Sequence, residues 1–258
     1  MRPKFSLSVA VLLVLAFSAS AWAIPATVVK SKWLDVKTGA GSAVSLYDDD
    51  GNKVTGSATN RGGLFRFYDQ ENYDEDGNRE YVTDFRGYAP DYPTTYYAFC
   101  IEVVESIGNH NLLPYNVTNL GDAPIDNNNW LFPTMGDVAA DKMARLWADH
   151  FDDTVTGGHK QRGAFQAAVW ELVYDQGVID LASGHFQMAD TGTDSEFDLA
   201  KSWLENLGDD KARLVALTWD GRQDFVVEVV PETSSALLWC MIGGVVGVGC
   251  WFRRRRQI

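Results

Sequence analysis

The sequence predicts an α+β fold in which a β-rich subdomain, built as a sandwich or a barrel, packs beside a helical subdomain. Aromatic and β-branched runs typical of strands fill residues 24–120 and return at 209–230. Between them, in 137–208, apolar residues recur at helical spacing instead. The domain at 24–232 is long enough to bury one sizeable core.

Seven strands are predicted, five in the first part of this domain and two at its end. They cover residues 28–36, 43–47, 62–68, 79–88, 96–104, 213–219 and 224–230. Two acidic segments, 47–52 and 73–78, each contain an Asp-Gly pair, which favours a tight turn. Calcium binding is the alternative for these loops, but their glycine comes too early for an EF-hand. We therefore predict turns, and no metal or other cofactor.

Three helices are predicted after an Asn-, Gly- and Pro-rich loop at 121–133. The first two carry apolar residues at helical spacing, namely Met143, Leu146, Trp147 and Phe151, then Phe165, Ala168, Val169, Leu172 and Val173. The third spans 195–207, because Ser195 can cap its start and Gly208 can end it.

Both ends of the chain have the composition of targeting segments. Residues 1–23 combine early basic residues, an apolar run and Ala21-Trp22-Ala23, as in a signal peptide cleaved before Ile24. Residues 236–252 carry no charge and precede four arginines, which predicts a transmembrane segment with its C-terminus in the cytoplasm. We therefore expect the domain to be exported.

The exported part is strongly acidic. Residues 24–232 contain all 35 acidic residues and only 16 of the 22 basic ones, for a formal charge of −19. Without a stripe of clustered lysine and arginine to neutralise phosphates, nucleic acid is excluded as an expected partner.

One cysteine and one glutamine carry the chemistry that we predict. Cys100 is the only cysteine between the two ends, so it has no partner for a disulfide within the domain. Gln166 lies among apolar residues on a helix, where a buried carboxamide needs a partner. A thiolate that adds to this carboxamide and expels ammonia leaves a γ-glutamyl thioester, an electrophile.

Phe99-Cys100-Ile101, followed downstream by Phe165-Gln166-Ala167-Ala168-Val169-Trp170, resembles the Cys and Gln motifs of the thioester domains of bacterial surface adhesins. The resemblance implies a cross-link between Cys100 and Gln166, and attack on it by a protein amine or polysaccharide hydroxyl of a surface or matrix ligand. Phe99, Trp170 and Tyr174 are the candidates to shield the bond from water. Such a protein is not an enzyme and has no catalytic residues, since each molecule reacts once.

The C-terminal segment resembles a PEP-CTERM sorting signal, through Val230, Pro231 and Glu232 ahead of the apolar stretch and terminal arginines. This resemblance implies transient anchoring in the inner membrane through 236–252, removal of the tail by an exosortase-type protease, and release to the cell surface or extracellular matrix. The alternatives are a permanent anchor and a sortase signal, although the leucine and glycine of Leu-Pro-x-Thr-Gly are missing.

Two other functions are alternatives. A cysteine hydrolase would pair Cys100 with His110, His150, His159 or His185, but a cysteine in a strand lacks the helix that usually follows a catalytic cysteine. A noncovalent glycan-binding or structural matrix protein would use the acidic β-rich part and exposed aromatic residues, and Cys100 would be incidental.

Overall fold

The computed structural model describes most of the domain. The described segments are residues 28–38, 44–48, 50–53, 63–69, 72–73, 79–80, 95–103, 113–125, 133–176, 178–220 and 222–229. Ala26–Val229 forms one compact unit.

Ten strands are described. They are β1 (Val28–Thr38), β2 (Val44–Leu46), β3 (Gly63–Asp69), β4 (Asn72–Tyr73), β5 (Arg79–Glu80), β6 (Thr95–Cys100), β7 (Leu113–Asn119), β8 (Phe186–Met188), β9 (Leu214–Thr218) and β10 (Phe225–Glu228). Six of them close an antiparallel barrel in the order β1, β3, β6, β10, β9, β7, and β7 pairs back onto β1. β2 pairs with β8, and β4 with β5, outside the barrel.

Aromatic side chains fill the interior of the barrel. The ring of Phe67 on β3 lies 4.7 Å from Phe225 on β10 and 6.1 Å from Tyr115 on β7. None of these three strands neighbours another in the sheet, so their rings meet across the interior. Edge-to-face contacts of this kind add to the stabilisation from apolar burial.

Three α-helices are described: α1 (Asp137–Thr156), α2 (His159–Tyr174) and α3 (Glu196–Glu205). Gly157 and Gly158 connect α1 to α2. Ser195 caps α3, because its hydroxyl accepts a hydrogen bond from the N–H of Asp198 at 3.2 Å.

Helix α2 lies at the centre of the domain. Every residue from Ala164 to Tyr174 is buried, because α2 packs against α1 and α3 as well as strands β1, β3, β6 and β8. A helix that is apolar on all sides is stable only in such surroundings. Its polar residues Gln166 and Glu171 are consequently forced into the core.

The predicted α+β class is confirmed, with the β part closed as a barrel. The predicted helices and most predicted strands are present, with boundaries shifted by a few residues. The turn at 47–52 is also present, since Gly51 adopts a φ of 79° and Asn52 donates its backbone N–H to the carboxylate of Asp48 at 2.7 Å.

Three strands were not predicted from the sequence: the two-residue β4, and the longer β7 and β8. β7 contains Pro114 and two asparagines, which are rare in strands, and β8 has only three residues. Both form because neighbouring strands supply their hydrogen bonds. The start of the predicted loop 121–133 instead belongs to a short 3-10 turn, Leu120–Asp122.

Several predictions fall outside the described residues. These are the signal peptide at 1–23, the sorting motif Val230, Pro231 and Glu232, the transmembrane segment 236–252, most of the acidic turn at 73–78, and His110. Within the described segments, no helix is both long and apolar enough to cross a membrane.

Candidate functional site

Cys100 is the last residue of β6, and its side chain faces the barrel interior. It lies directly opposite Phe225 on β10, and paired residues of neighbouring strands share one face of a sheet. Phe225 packs against Phe65 and Phe67 inside the barrel. The thiol is therefore buried beside aromatic rings.

Gln166 on α2 reaches the backbone of Cys100. Its Oε1 accepts a hydrogen bond from the Cys100 N–H at 3.1 Å, and its Nε2 donates one to the Cys100 carbonyl at 2.7 Å. Only 1% of Gln166 is exposed. The two residues that the sequence singled out, 66 positions apart in the chain, thus lie in contact.

The carboxamide of Gln166 takes the place of a peptide group in the sheet. The N–H of Ile101 donates to the Asp224 carbonyl on the β10 side, so the N–H and carbonyl of Cys100 point the other way, toward β3. The paired residues of β3 and β6 end at Phe65 and Ala98, before Cys100 is reached. Gln166 fills the position that the end of this pairing leaves open.

Tyr174 is a second anchor between α2 and the same stretch of chain. Its hydroxyl oxygen accepts a hydrogen bond from the N–H of Val103 at 2.9 Å. Tyr174 follows Gln166 by two helical turns, or about 12 Å along the axis. Three extended residues, the distance from Cys100 to Val103, span about 10 Å. α2 therefore runs alongside residues 100–103.

Trp170 lies on this same face of α2, one turn after Gln166 and one turn before Tyr174. Trp170 is 4% exposed, and its ring centroid is 6.1 Å from that of Phe186 on β8. Among the residues that the structure describes, the indole Nε1–H of Trp170 has no hydrogen-bond acceptor.

Phe99 packs on the opposite face of β6, toward the helices. Its ring lies 4.5 Å from Phe165 on α2 and 5.9 Å from Trp147 on α1. Phe99, Trp170 and Tyr174 are all buried near the Cys100–Gln166 pair. Their role as a shield against water stays a prediction.

The environment keeps the Cys100 thiol protonated. Burial raises its pKa well above the usual range, and the negative charge of Glu102 adds to this effect. Glu102 is itself buried and accepts a hydrogen bond from the Asp224 N–H at 3.3 Å. A cysteine that acts as a hydrolytic nucleophile needs the opposite, a lowered pKa.

Two of the histidines proposed for a hydrolase, His150 and His185, contact residues other than Cys100. His150 stacks on Trp203 of α3 with ring centroids 4.5 Å apart, and His185 lies 3.5 Å from the carboxylate of Asp175. His159 is the first residue of α2, two turns before Gln166. The hydrogen bonds described for Cys100 at this site are to Gln166, not to a histidine.

Glu171, a buried acid next to Trp170 on α2, was not predicted from the sequence. Glu171 is 0% exposed, and its Oε1 accepts a hydrogen bond from the Asp180 N–H. Its Oε2 has no partner in the described part of the chain. Burial raises the pKa of Glu171 to about 8. The signal was available, because an acid in the apolar run after Trp170 is as conspicuous as Gln166.

No protein-family model, curated protein or solved structure matches this chain. Over the described segments, no group of three or more His, Cys, Asp or Glu side chains is arranged to hold a metal ion. The geometry around Cys100 and Gln166, and the motifs that contain these two residues, therefore provide the indication of function.

Proposed function

We propose that this protein is an exported surface or matrix protein whose Cys100 and Gln166 form an internal thioester for covalent attachment to a ligand. One observation carries the proposal: the carboxamide of Gln166 is held by two hydrogen bonds against the backbone of the domain's single cysteine, in a buried site. The resemblance of the two motifs to adhesin thioester domains supports the same conclusion.

Thioester formation requires the sulfur of Cys100 to attack Cδ of Gln166. The carbonyl oxygen then becomes negatively charged, and the Cys100 N–H that already donates to Oε1 is placed to stabilise that charge. When the intermediate collapses, the C–N bond breaks. Nitrogen leaves as ammonia with the proton that the thiol gave up. Holding sulfur and carbonyl on adjacent elements supplies part of the rate.

In ligand capture, the sulfur of Cys100 is the leaving group instead of the nucleophile. An amine or hydroxyl attacks the same carbonyl carbon, the C–S bond breaks, and the proton of the nucleophile ends on the sulfur of Cys100. The product is an amide or ester at Gln166. Because the buried site raises the pKa of the thiol, the sulfur leaves more readily as a thiol that has taken up the proton of the nucleophile than as a thiolate.

The ends of the chain support the proposed location. The leader at 1–23 would export the domain, and 236–252 would hold it in the inner membrane until an exosortase-type protease removes the tail. The strong negative charge suits a soluble exported domain. The proposed partners are therefore that protease and a ligand at the cell surface or in its matrix.

A structural or glycan-binding protein without a thioester is the second candidate. The two hydrogen bonds favour this candidate. A carboxamide that replaces a peptide group in the sheet explains the buried glutamine without any thioester. A hydrolase is the weaker alternative, since the hydrogen bonds of Cys100 at the described site are to Gln166 and not to a histidine.

Intact mass separates these candidates. The wild-type chain should be one ammonia lighter than its sequence requires, whereas Cys100→Ala and Gln166→Ala should keep that mass. Methylamine should add its full mass to the wild type at Gln166 and to neither variant. Gln187→Ala, at a partly exposed glutamine on β8, is the matched control and should behave as the wild type does. If the wild-type chain has the full mass that its sequence requires and does not react with methylamine, the thioester is refuted and the second candidate remains.

A further inference from the structure

The indole of Trp170 is a buried hydrogen-bond donor without an acceptor. The residue is 4% exposed, and its Nε1–H is unsatisfied among the described residues. Leaving such a group unpaired costs about 1–3 kcal/mol. Proteins keep few buried donors of this kind, and each one calls for an explanation in terms of strain, catalysis or a bound group.

The same core satisfies another buried indole. Trp147 on α1 donates its Nε1–H to the carboxylate of Glu228 at 2.8 Å. The fold is thus able to provide an acceptor for a buried tryptophan. The unsatisfied donor is the one on the helix face that carries Gln166.

The direction of helical side chains brings the indole of Trp170 toward Gln166. In an α-helix, long side chains lean back toward the N-terminus, over the preceding turn. Gln166 occupies that turn, four residues earlier. Tyr174 fixes the next turn to Val103, so this face of α2 stays against residues 100–103.

We propose that the Nε1–H of Trp170 is the second donor, beside the N–H of Cys100, to the oxygen that becomes negatively charged at Cδ of Gln166. This inference rests on the proposed thioester. In the unreacted amide, Oε1 is bonded to the Cys100 N–H and not to the indole. A donor that gains its bond only when the carbonyl carbon becomes tetrahedral stabilises the intermediate more than the ground state, which accelerates the reaction.

The donor would serve both directions of the chemistry. When sulfur attacks Cδ, the oxygen takes up the electron pair of the C=O bond, and it returns the pair as ammonia leaves. When an amine attacks the thioester, the same oxygen is charged again before the C–S bond breaks. The indole keeps its proton throughout, so it changes the rates and not the products.

Trp170→Phe tests this role, because it retains an aromatic ring and removes the donor. The full chain is purified in mild detergent, and the rate at which methylamine opens the thioester is followed by intact mass. Loss of one oxyanion donor lowers such a rate by about 100-fold. If Trp170 only shields the bond, the smaller ring admits the amine more easily and opening is as fast as in the wild type or faster.

Slower opening of the thioester by methylamine therefore indicates that Trp170 is a donor, and unchanged or faster opening indicates that it is only a shield. Trp170→Leu is a second variant that opens the site further, so slow opening in either folded variant supports the donor role. Trp203→Phe, at a buried tryptophan on α3, is the matched control and should react at the wild-type rate. Unchanged or faster opening in the Trp170 variants overturns the inference and leaves the thioester standing. A wild type that never loses ammonia overturns both.

Discussion

Glu171 should make the domain less stable as the pH rises toward 8. Its carboxyl group is fully buried on α2, with one oxygen bonded to the Asp180 N–H and the other without a partner among the described residues. Burial therefore favours the neutral acid. Glu171→Gln replaces that acid by a neutral group of nearly the same shape, whose oxygen can accept the same hydrogen bond.

The size of the effect follows from the pKa. The value is 4.5 for an ordinary glutamate and about 8 for Glu171 in the fold. Between these two values the folded chain holds a proton that the unfolded chain has lost, so the free energy of unfolding falls as the pH increases. At about 1.4 kcal/mol for each pKa unit, the loss is on the order of 3 kcal/mol by pH 7 and is complete above about pH 8.

Urea unfolding from about pH 5 to about pH 9 measures this loss. A Cys100→Ala background removes any covalent link to Gln166 from the comparison. The Glu171→Gln chain should have a flatter stability profile, and its advantage over the parent should grow toward pH 8. Glu205→Gln, which removes an exposed carboxylate paired with Lys201 on α3, is the control and should run parallel to the parent.

A constant difference between Glu171→Gln and its parent at every pH would refute the reasoning. It would mean that Glu171 is ionised in the folded chain already at low pH. In that case Oε2 accepts a hydrogen bond in solution, and burial does not raise the pKa of Glu171.

Two further predictions concern stability and use the same unfolding assay. In the Cys100→Ala background, Gln166→Ala should lower the free energy of unfolding by about 1–3 kcal/mol for each backbone group that it leaves unpaired at residue 100. A loss well below 1 kcal/mol would show that the carboxamide does not complete the sheet. Gly157→Ala should lower it by about 1–3 kcal/mol, because a Cβ there would lie 2.2 Å from the Asp153 carbonyl oxygen and the turn between α1 and α2 would have to open. Gly192→Ala places its Cβ in open space, so it should show only the cost of the positive φ at that residue.

Local patterns in the sequence predicted much of the fold. Strand and helix periods depend on neighbouring residues, so the barrel strands β1, β3 and β6 and all three helices could be recognised from the sequence. The sequence also indicated that Cys100 and Gln166 lie close together, because an unpaired cysteine and a polar residue in an apolar helix each stand out from their surroundings. The cross-link between them stays a prediction.

Only the tertiary structure decided how these elements meet. The order of strands around the barrel, and the formation of β7 and β8, depend on hydrogen bonds between residues far apart in the chain. For the same reason the sequence could not show that Gln166 replaces a peptide group beside Cys100.

The sequence by itself determined which side chains carry reactive or ionisable groups, and the fold determined their chemical state. Burial raises the pKa of both Cys100 and Glu171 and leaves the indole of Trp170 without an acceptor among the described residues. These properties arise because water is removed from around each group and only the packed elements determine what replaces it.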